Sequence, residues 1–198
     1  MFKRAFDIAA ATVGLLLLAL PMLAAAAWIR LDSPGPVFFR QERVGRHGRS
    51  FRIHKFRTMR IDAESVGPQL TVGADARITR AGAFLRAHRL DELPQFLDVL
   101  AGDMSLVGPR PDVPRYVAQW PPALRERVLA VRPGMTDPAS LEFRDEASLL
   151  ARAADPEREY LEVILPRKLA RAADYADHAS LWSDLAVIWR SVGVLLTR

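Results

Sequence analysis

The run from Ile8 to Ile29 is 22 residues long and carries no charge. As a helix rising about 1.5 Å per residue it reaches about 33 Å, the depth of a bilayer core. A segment of this kind ties everything that follows it to a membrane surface. Lys3 and Arg4 precede the run and Arg30 ends it. A cleaved signal peptide is one alternative, since it would have the charged start and the small residues Ala24 to Ala27. The run is, however, longer than the ~7–15 residues of an ordinary signal h-region.

Charge on both flanks constrains the topology. Between Arg30 and Arg60 stand nine cations: Arg30, Arg40, Arg43, Arg46, Arg49, Arg52, Lys55, Arg57 and Arg60. Only Asp32 and Glu42 oppose them. Positive flanks stay on the cytoplasmic side. A straight crossing puts one basic flank on the wrong side, whereas a helix that enters and returns on one face does not. Pro21, mid-segment, removes a backbone hydrogen bond and bends a helix. Membrane helices also tolerate proline, so the residues alone leave a kinked spanning helix as an equal reading. The basic block itself seeks phosphates: nucleic acid, lipid headgroups or a nucleotide. The chain has no cysteine, which excludes disulfides and thiolate metal sites. Its 198 residues, half of them apolar, suit one domain with its own core plus a membrane element.

Past Arg30, Asp32 to Pro36 reads as a turn. Val37 to Gln41 and the alternating Phe51 to Phe56 read as strands, joined by a hairpin turn at Gly45 to Arg49. Arg60 to Asp75, with Gly67, Pro68 and Gly73, reads as a loop with a short helix. Thr79 to Arg89 and Glu92 to Ala101 read as helices, the second ended by Gly102. Met104 to Val107 is a short apolar run. Further helices are expected near Val113 to Gln119, Pro122 to Leu129 and Arg167 to Tyr175, with a turn at Arg132-Pro133-Gly134. Ser180 is placed to cap a last helix carrying Leu181, Trp182, Leu185, Ile188, Trp189, Val192 and Leu196, flanked by Arg190 and Arg198. Its apolar face suits a membrane interface or the domain core equally. The expected fold class is α+β, mainly helical. Residues 1–31 are expected to form the membrane element and 32–198 a second, folded domain.

Asp91-Glu92 is the candidate chemical centre. Its simplest reading is a helix start, with Asp91 as N-cap and Glu92 favouring the dipole. That does not account for the cations around it: Arg86, His88 and Arg89 before, Arg110 in a Gly-Pro-Arg-Pro turn after, and the block through Lys55 and Arg57. Two carboxylates among arginines suit a site holding a divalent cation and a polyphosphate. Mg²⁺ binds through one or two carboxylates plus substrate phosphates, arginines neutralise further charge, and an aspartate can attack phosphorus.

With these motifs in view, the chain resembles the bacterial sugar transferases, small monotopic phosphoglycosyl transferases. The resemblance runs through Lys3-Arg4-Ala5-Phe6-Asp7, the apolar segment with Pro21, Ser33-Pro34-Gly35-Pro36-Val37-Phe38, Gln41 to Gly45 and Lys55 to Met59. It continues through Leu90 to Gln95, Gly102 to Ser105, Gly108 to Pro111 and Arg132 to Thr136. It implies a re-entrant helix–break–helix with the break at Pro21. The catalytic part then lies on the cytoplasmic face of a bacterial inner membrane. It implies Asp91 as the nucleophile that forms a phosphosugar intermediate and Glu92 as a Mg²⁺ ligand, with Asp91 beside it at the metal. Arg86 and Arg110 are expected to face the donor phosphates, with Lys55, Arg57 and Arg132 as further substrate-binding cations. The implied partners are a UDP-sugar donor, a polyprenol phosphate acceptor such as undecaprenyl phosphate, and membrane lipids, not nucleic acid.

Where many members continue Arg-Pro-Gly-Ile-Thr-Gly, this chain reads Met135-Thr136-Asp137. Asp137 is expected either near the donor or as a cap of the next helix. Beside larger members with an added membrane bundle or fused domain, this chain resembles a minimal version. The rival readings are a basic membrane-tethered binding protein for nucleic acid or anionic lipid, and a spanning anchor for an extracytoplasmic structural domain. In either rival, replacing Asp91 leaves function intact.

Overall fold

Leucine and alanine dominate the first thirty residues, and both propagate a helix well. The computed structural model, which describes residues 2–66 and 75–196, accordingly holds a single helix α1 (Phe2–Asp32) with Pro21 inside it. The expected break at Pro21 is therefore not found. A proline removes one N–H donor. The strong helix formers on either side, together with anchors at both helix ends, keep the helix continuous across it.

Both ends of α1 are tied to the same folded body. At the N-terminal end, Arg4 Nη1 donates to Val99 O at 2.7 Å, and Lys3 pairs with the buried Asp184. The buried Asp7 carboxylate accepts from Ser105 Oγ at 2.9 Å and Leu106 N at 3.2 Å. At the other end, Asp32 accepts from Ala81 N at 2.9 Å, and Ile29 is buried with Phe56, Ala81 and Leu85. The face between these anchors is bare: Leu16, Leu17, Leu20 and Leu23 are exposed, Leu20 at 78 %.

A hairpin follows. β1 (Phe38–Val44) pairs antiparallel with β2 (Ser50–Phe56), in a register running from Phe38 opposite Phe56 to Val44 opposite Ser50. The turn lies at Arg46–Gly48, where His47 takes a left-handed φ of 57°. β1 extends past the expected end at Gln41 because the backbone ladder accepts the charged Glu42 and Arg43 as readily as apolar residues. Of the nine cations between Arg30 and Arg60, six donate to backbone carbonyls: Arg30, Arg40, Arg43, Arg46, Arg52 and Arg57. Much of the basic block thus serves the fold.

The short helix expected in the next loop is α2 (Ala63–Val66); Gly67, Pro68 and Gly73 lie outside the described residues. α3 (Arg80–Ala87) is capped by the Thr79 hydroxyl, which accepts from Gly82 N at 3.0 Å. Gly82 lies against Thr58: a Cβ there would stand 2.0 Å from the Thr58 carbonyl oxygen, so the packing of α3 on the strand end requires glycine. The expected helix from Glu92 to Ala101 is divided. Leu90–Glu92 form a 3₁₀ turn, and α4 (Gln95–Ala101) begins only after Pro94, ending at Gly102 with φ 94°.

The apolar run Met104 to Val107 becomes β3 (Ser105–Val107), which pairs parallel with β4 (Gly134–Thr136). The sequence shows only a turn at Arg132-Pro133-Gly134; the pairing partner lies about thirty residues away and leaves no local signature. α5 (Pro114–Val117) and α6 (Pro122–Leu129) separate the two strands, and α7 (Pro138–Glu142) follows them. Next come α8 (Glu146–Leu150), α9 (Pro156–Glu159), a π turn over Tyr160–Ile164, and α10 (Leu165–His178), with Pro166 in its first turn.

α11 (Leu181–Leu196) starts as expected at Ser180, whose hydroxyl accepts from Ser183 N at 3.1 Å. The helix serves the core and the surface on separate faces. Asp184 and Val187 are buried, whereas Trp182 is 81 % and Trp189 80 % exposed. Leu185 and Val192 are exposed on the same stripe. The side chain of Leu196, and Arg198 altogether, lie outside the described residues.

Candidate active site

The backbone turns sharply just before the carboxylates. α3 ends at His88, and Arg89 then takes a left-handed conformation, φ 57° and ψ 18°. An L-residue with a Cβ adopts that region at a cost of about 1–3 kcal/mol, and such residues gather at functional sites. The 3₁₀ turn follows at once, closed by Leu93 N donating to Leu90 O at 3.2 Å. Asp91 and Glu92 are carried in this turn. Asp91 caps no helix: α4 starts four residues later, at a proline cap that has no side-chain bond. The simple helix-cap reading of the pair therefore fails.

The two carboxylates differ. Glu92 is clamped. Lys55 Nζ donates to its Oε1 at 3.0 Å, Arg110 Nη2 contacts the same oxygen, and Arg110 Nη1 reaches Oε2 at 3.2 Å. Burial works to raise the Glu92 pKa, but Arg110 and Lys55 outweigh it and hold the carboxyl well below its ordinary range. Asp91 is only 9 % exposed and accepts no hydrogen bond from the described residues. Burial, and then the neighbouring Glu92 charge, push its pKa up, against the pull of Lys55, Arg86 and Arg110. The site thus holds one firmly ionised carboxylate beside one that is buried, accepts no hydrogen bond among the described residues and has its pKa raised above the ordinary range.

Three of the expected cations converge here. Lys55 arrives from β2, Arg110 from the loop after β3, and Arg86 from the last turn of α3, where its Nε donates to Thr58 Oγ1 at 2.8 Å. Desolvation lowers the Lys55 and Arg86 pKa values, whereas the Glu92 charge raises that of Arg110. Two other expected cations are engaged elsewhere. The buried Arg57 guanidinium donates to Pro36 O at 2.6 Å, Ser33 Oγ at 2.7 Å and Ser33 O at 2.9 Å, fastening the end of α1. Arg132 Nε donates to Gly102 O at 2.8 Å.

Asp137, open between two readings from the sequence, takes the capping one and also reaches the backbone of Arg110. It caps α7 by accepting from Ser140 N at 2.5 Å, and its other oxygen accepts from the backbone N–H of Arg110 at 3.1 Å. The buried Asp137 carboxylate therefore holds the arginine that clamps Glu92. Sequence reasoning also passed over Arg43 and Asp112 as individuals. Arg43 donates to Pro111 O at 3.1 Å, joining the hairpin to the Arg110 loop. No local pattern marks a residue whose role is to bridge two segments 68 positions apart.

Among the described residues no group of three or more His, Cys, Asp or Glu forms a ready metal cage. Asp91 and Glu92 nevertheless fit the one or two carboxylates that Mg²⁺ takes when phosphates complete its shell. A carboxylate has about four acceptor sites, and the three contacts to Glu92 leave one of them open.

Comparison with known proteins agrees with this geometry. The bacterial sugar transferase family model matches residues 1–198. The chain is 39 % identical over 198 residues to a UDP-N-acetylgalactosamine-undecaprenyl-phosphate N-acetylgalactosaminephosphotransferase of Aeromonas hydrophila, covering 98 % of this chain and 44 % of the relative. It is 40 % identical over 206 residues to a UDP-glucose:undecaprenyl-phosphate glucose-1-phosphate transferase of Caulobacter vibrioides, covering 98 % and 70 %. It is 39 % identical over 206 residues to the exopolysaccharide production protein PSS of Rhizobium leguminosarum bv. phaseoli, covering 100 % and 96 %. The chain thus spans under half of the first relative and nearly all of the last. A match along the whole chain, at this identity, shows that the protein belongs to the bacterial sugar transferase family.

Proposed function

We propose that the protein transfers a sugar 1-phosphate from a UDP-sugar to undecaprenyl phosphate at a membrane surface, opening the assembly of a bacterial surface glycan. The observation that carries this reading is the contrast between the clamped Glu92 and the unbonded, buried Asp91 among Lys55, Arg86 and Arg110. The relatives' names supply the substrate class.

In the proposed chemistry an Asp91 carboxylate oxygen attacks the β-phosphorus of the donor. The bond from that phosphorus to the bridging oxygen breaks, and uridine monophosphate leaves with the bond's electrons. A phosphate oxygen of the lipid then attacks the same phosphorus, freeing the Asp91 carboxylate and giving a lipid diphosphate sugar. Dividing the transfer this way replaces one difficult step by two easier ones. Arg86, Arg110 and Lys55 neutralise the donor's charge, which lets an anion approach phosphorus. Glu92 and Asp91 are the residues that would hold Mg²⁺, which when bound supplies further charge neutralisation at the phosphates.

The membrane reading is that α1 sits in one leaflet with both of its ends on the same face, and with the catalytic body on the cytoplasmic side. Its support is that Lys3, Arg4 and Asp7 at one end and Asp32 at the other hold the same body, and that both flanks are basic. The bare leucine face and the α11 tryptophans are the surfaces that meet lipid.

The test is uridine monophosphate release from a panel of UDP-sugars with Mg²⁺ and undecaprenyl phosphate, comparing wild type with Asp91→Asn. The wild type releases the monophosphate with at least one donor, and intact mass shows a phosphosugar adduct that the variant lacks. No release across the panel, or an undiminished Asp91→Asn variant, sinks the proposal.

A further inference from the structure

A cavity of about 170 Å³ lies between the Arg110 loop and the inner face of α10. A single water needs only ~10–15 Å³ of such space. Arg110 lines the cavity, so it adjoins the residue that clamps Glu92. Two more lining residues carry buried N–H donors with no acceptor among the described residues: Nε of Arg43 and the indole Nε1 of Trp120. Trp120 is 5 % exposed. A buried donor left unpaired costs about 1–3 kcal/mol, and two at one cavity point to a ligand that brings acceptors. The neighbouring charges are already engaged. Asp112 accepts from Val113 N at 2.8 Å and Tyr160 OH at 3.2 Å, and Lys168 pairs with Glu146 at 2.7 Å. Much of the remaining wall is apolar, formed by Val128, Leu165, Leu169 and Ala172.

These walls select the ligand's chemistry. A hexose carries a hydroxyl on most of its carbons and would bury several against aliphatic side chains, each at a desolvation cost. A pyrimidine such as uracil is flat and apolar on both faces, and it presents two carbonyl oxygens at its rim. We propose that this cavity seats the uracil ring of the donor nucleotide, with Trp120 and Arg43 donating to its carbonyls and Arg110 at the junction of nucleoside and diphosphate. The assignment rests on the UDP-sugar reading above. It makes Trp120 and Arg43 specificity residues for the base. Cytosine replaces one carbonyl with an amino donor, which would face an N–H donor and leave both unpaired.

The experiment titrates the purified full chain with uridine and cytidine monophosphates by calorimetry and measures KM for a UDP-sugar. The proteins are wild type, Trp120→Phe, which keeps an aromatic ring but no N–H, and Arg43→Lys, which keeps the charge but loses Nε. Trp120→Phe is expected to weaken uridine monophosphate about 3–10-fold, the worth of one neutral hydrogen bond, and Arg43→Lys at least as much, because its donor is charged. The uridine-over-cytidine preference narrows, and the change falls on KM rather than kcat. Melting temperatures identify a variant that fails to fold, in which case the other carries the test. Unchanged uridine affinity in both folded variants overturns the assignment and leaves the cavity to water. Altered sugar preference with intact base preference overturns it in favour of a sugar pocket. If the wild type turns over UDP-sugars while the variants bind as wild type, the cavity assignment alone fails. If the wild type neither binds nor releases uridine monophosphate, the donor reading fails with it.

Discussion

Arg110 holds Glu92 through both carboxylate oxygens, and Lys55 shares one of them. Asp91, one residue earlier, receives no such bond among the described residues. Neighbours in sequence are thereby driven in opposite directions, Glu92 toward permanent ionisation and Asp91 toward neutrality.

Replacing Glu92 by Gln removes the anion between two cations that remain in place. Arg110 and Lys55 then face each other with only a neutral amide between them. The expected result is a loss of about 1–3 kcal/mol in stability, seen as a lower melting temperature, with a fall in turnover larger than stability alone explains. A variant as stable and as active as wild type would contradict the clamp.

The raised Asp91 pKa has a definite sign. A carboxyl raised in the folded state penalises folding above that pKa, and the penalty disappears as pH falls through it. Asp91→Asn is therefore expected to melt higher than wild type at neutral pH, with the gain shrinking on acidification. Turnover should fall on its acid limb at a higher pH than an ordinary aspartate gives. Glu92 acts the other way: its stabilisation is complete above the ordinary glutamate pKa and is lost only as pH drops through its depressed folded value. Melting curves of both variants from acid to neutral pH check the signs.

Asp137→Ala leaves the N–H groups of Ser140 and Arg110 without their acceptor. Losing a helix cap costs about 1 kcal/mol. Because the second bond fixes the Arg110 backbone, KM for the donor should also rise, and Asp137→Asn should restore part of both. An unchanged KM in Asp137→Ala would confine the residue to capping.

Arg57→Lys tests structural against substrate-binding service. Lysine offers one point charge where the guanidinium spans three acceptors at the end of α1. The melting temperature should drop while KM for the donor stays near wild type.

The exposed stripe on α11 predicts membrane contact. Trp182→Ala with Trp189→Ala should weaken flotation with anionic vesicles and leave the melting temperature in place, since neither ring belongs to the core. Unchanged flotation would assign membrane contact to α1 alone.

Much of this was legible in the chain because the signals were local. The hairpin from Phe38 to Phe56, the Ser180 cap and the long apolar helix each follow from a few neighbouring residues. The cations near Asp91-Glu92 marked the site, and three of the five expected at it converge there. What remained hidden depends on distant segments. The β3–β4 pair joins Ser105 to Gly134 and has no local trace. Arg57 and Arg86 are both arginines beside apolar residues in the sequence. Only packing sends one to the end of α1 and the other toward Asp91. The sequence by itself determined the long helices α1, α10 and α11, the hairpin and the presence of two carboxylates among cations, because propensity and periodicity act over a few residues. Tertiary structure alone decided that Glu92 is bound and Asp91 free, because that difference depends on which cations the fold brings within 3–4 Å of each oxygen.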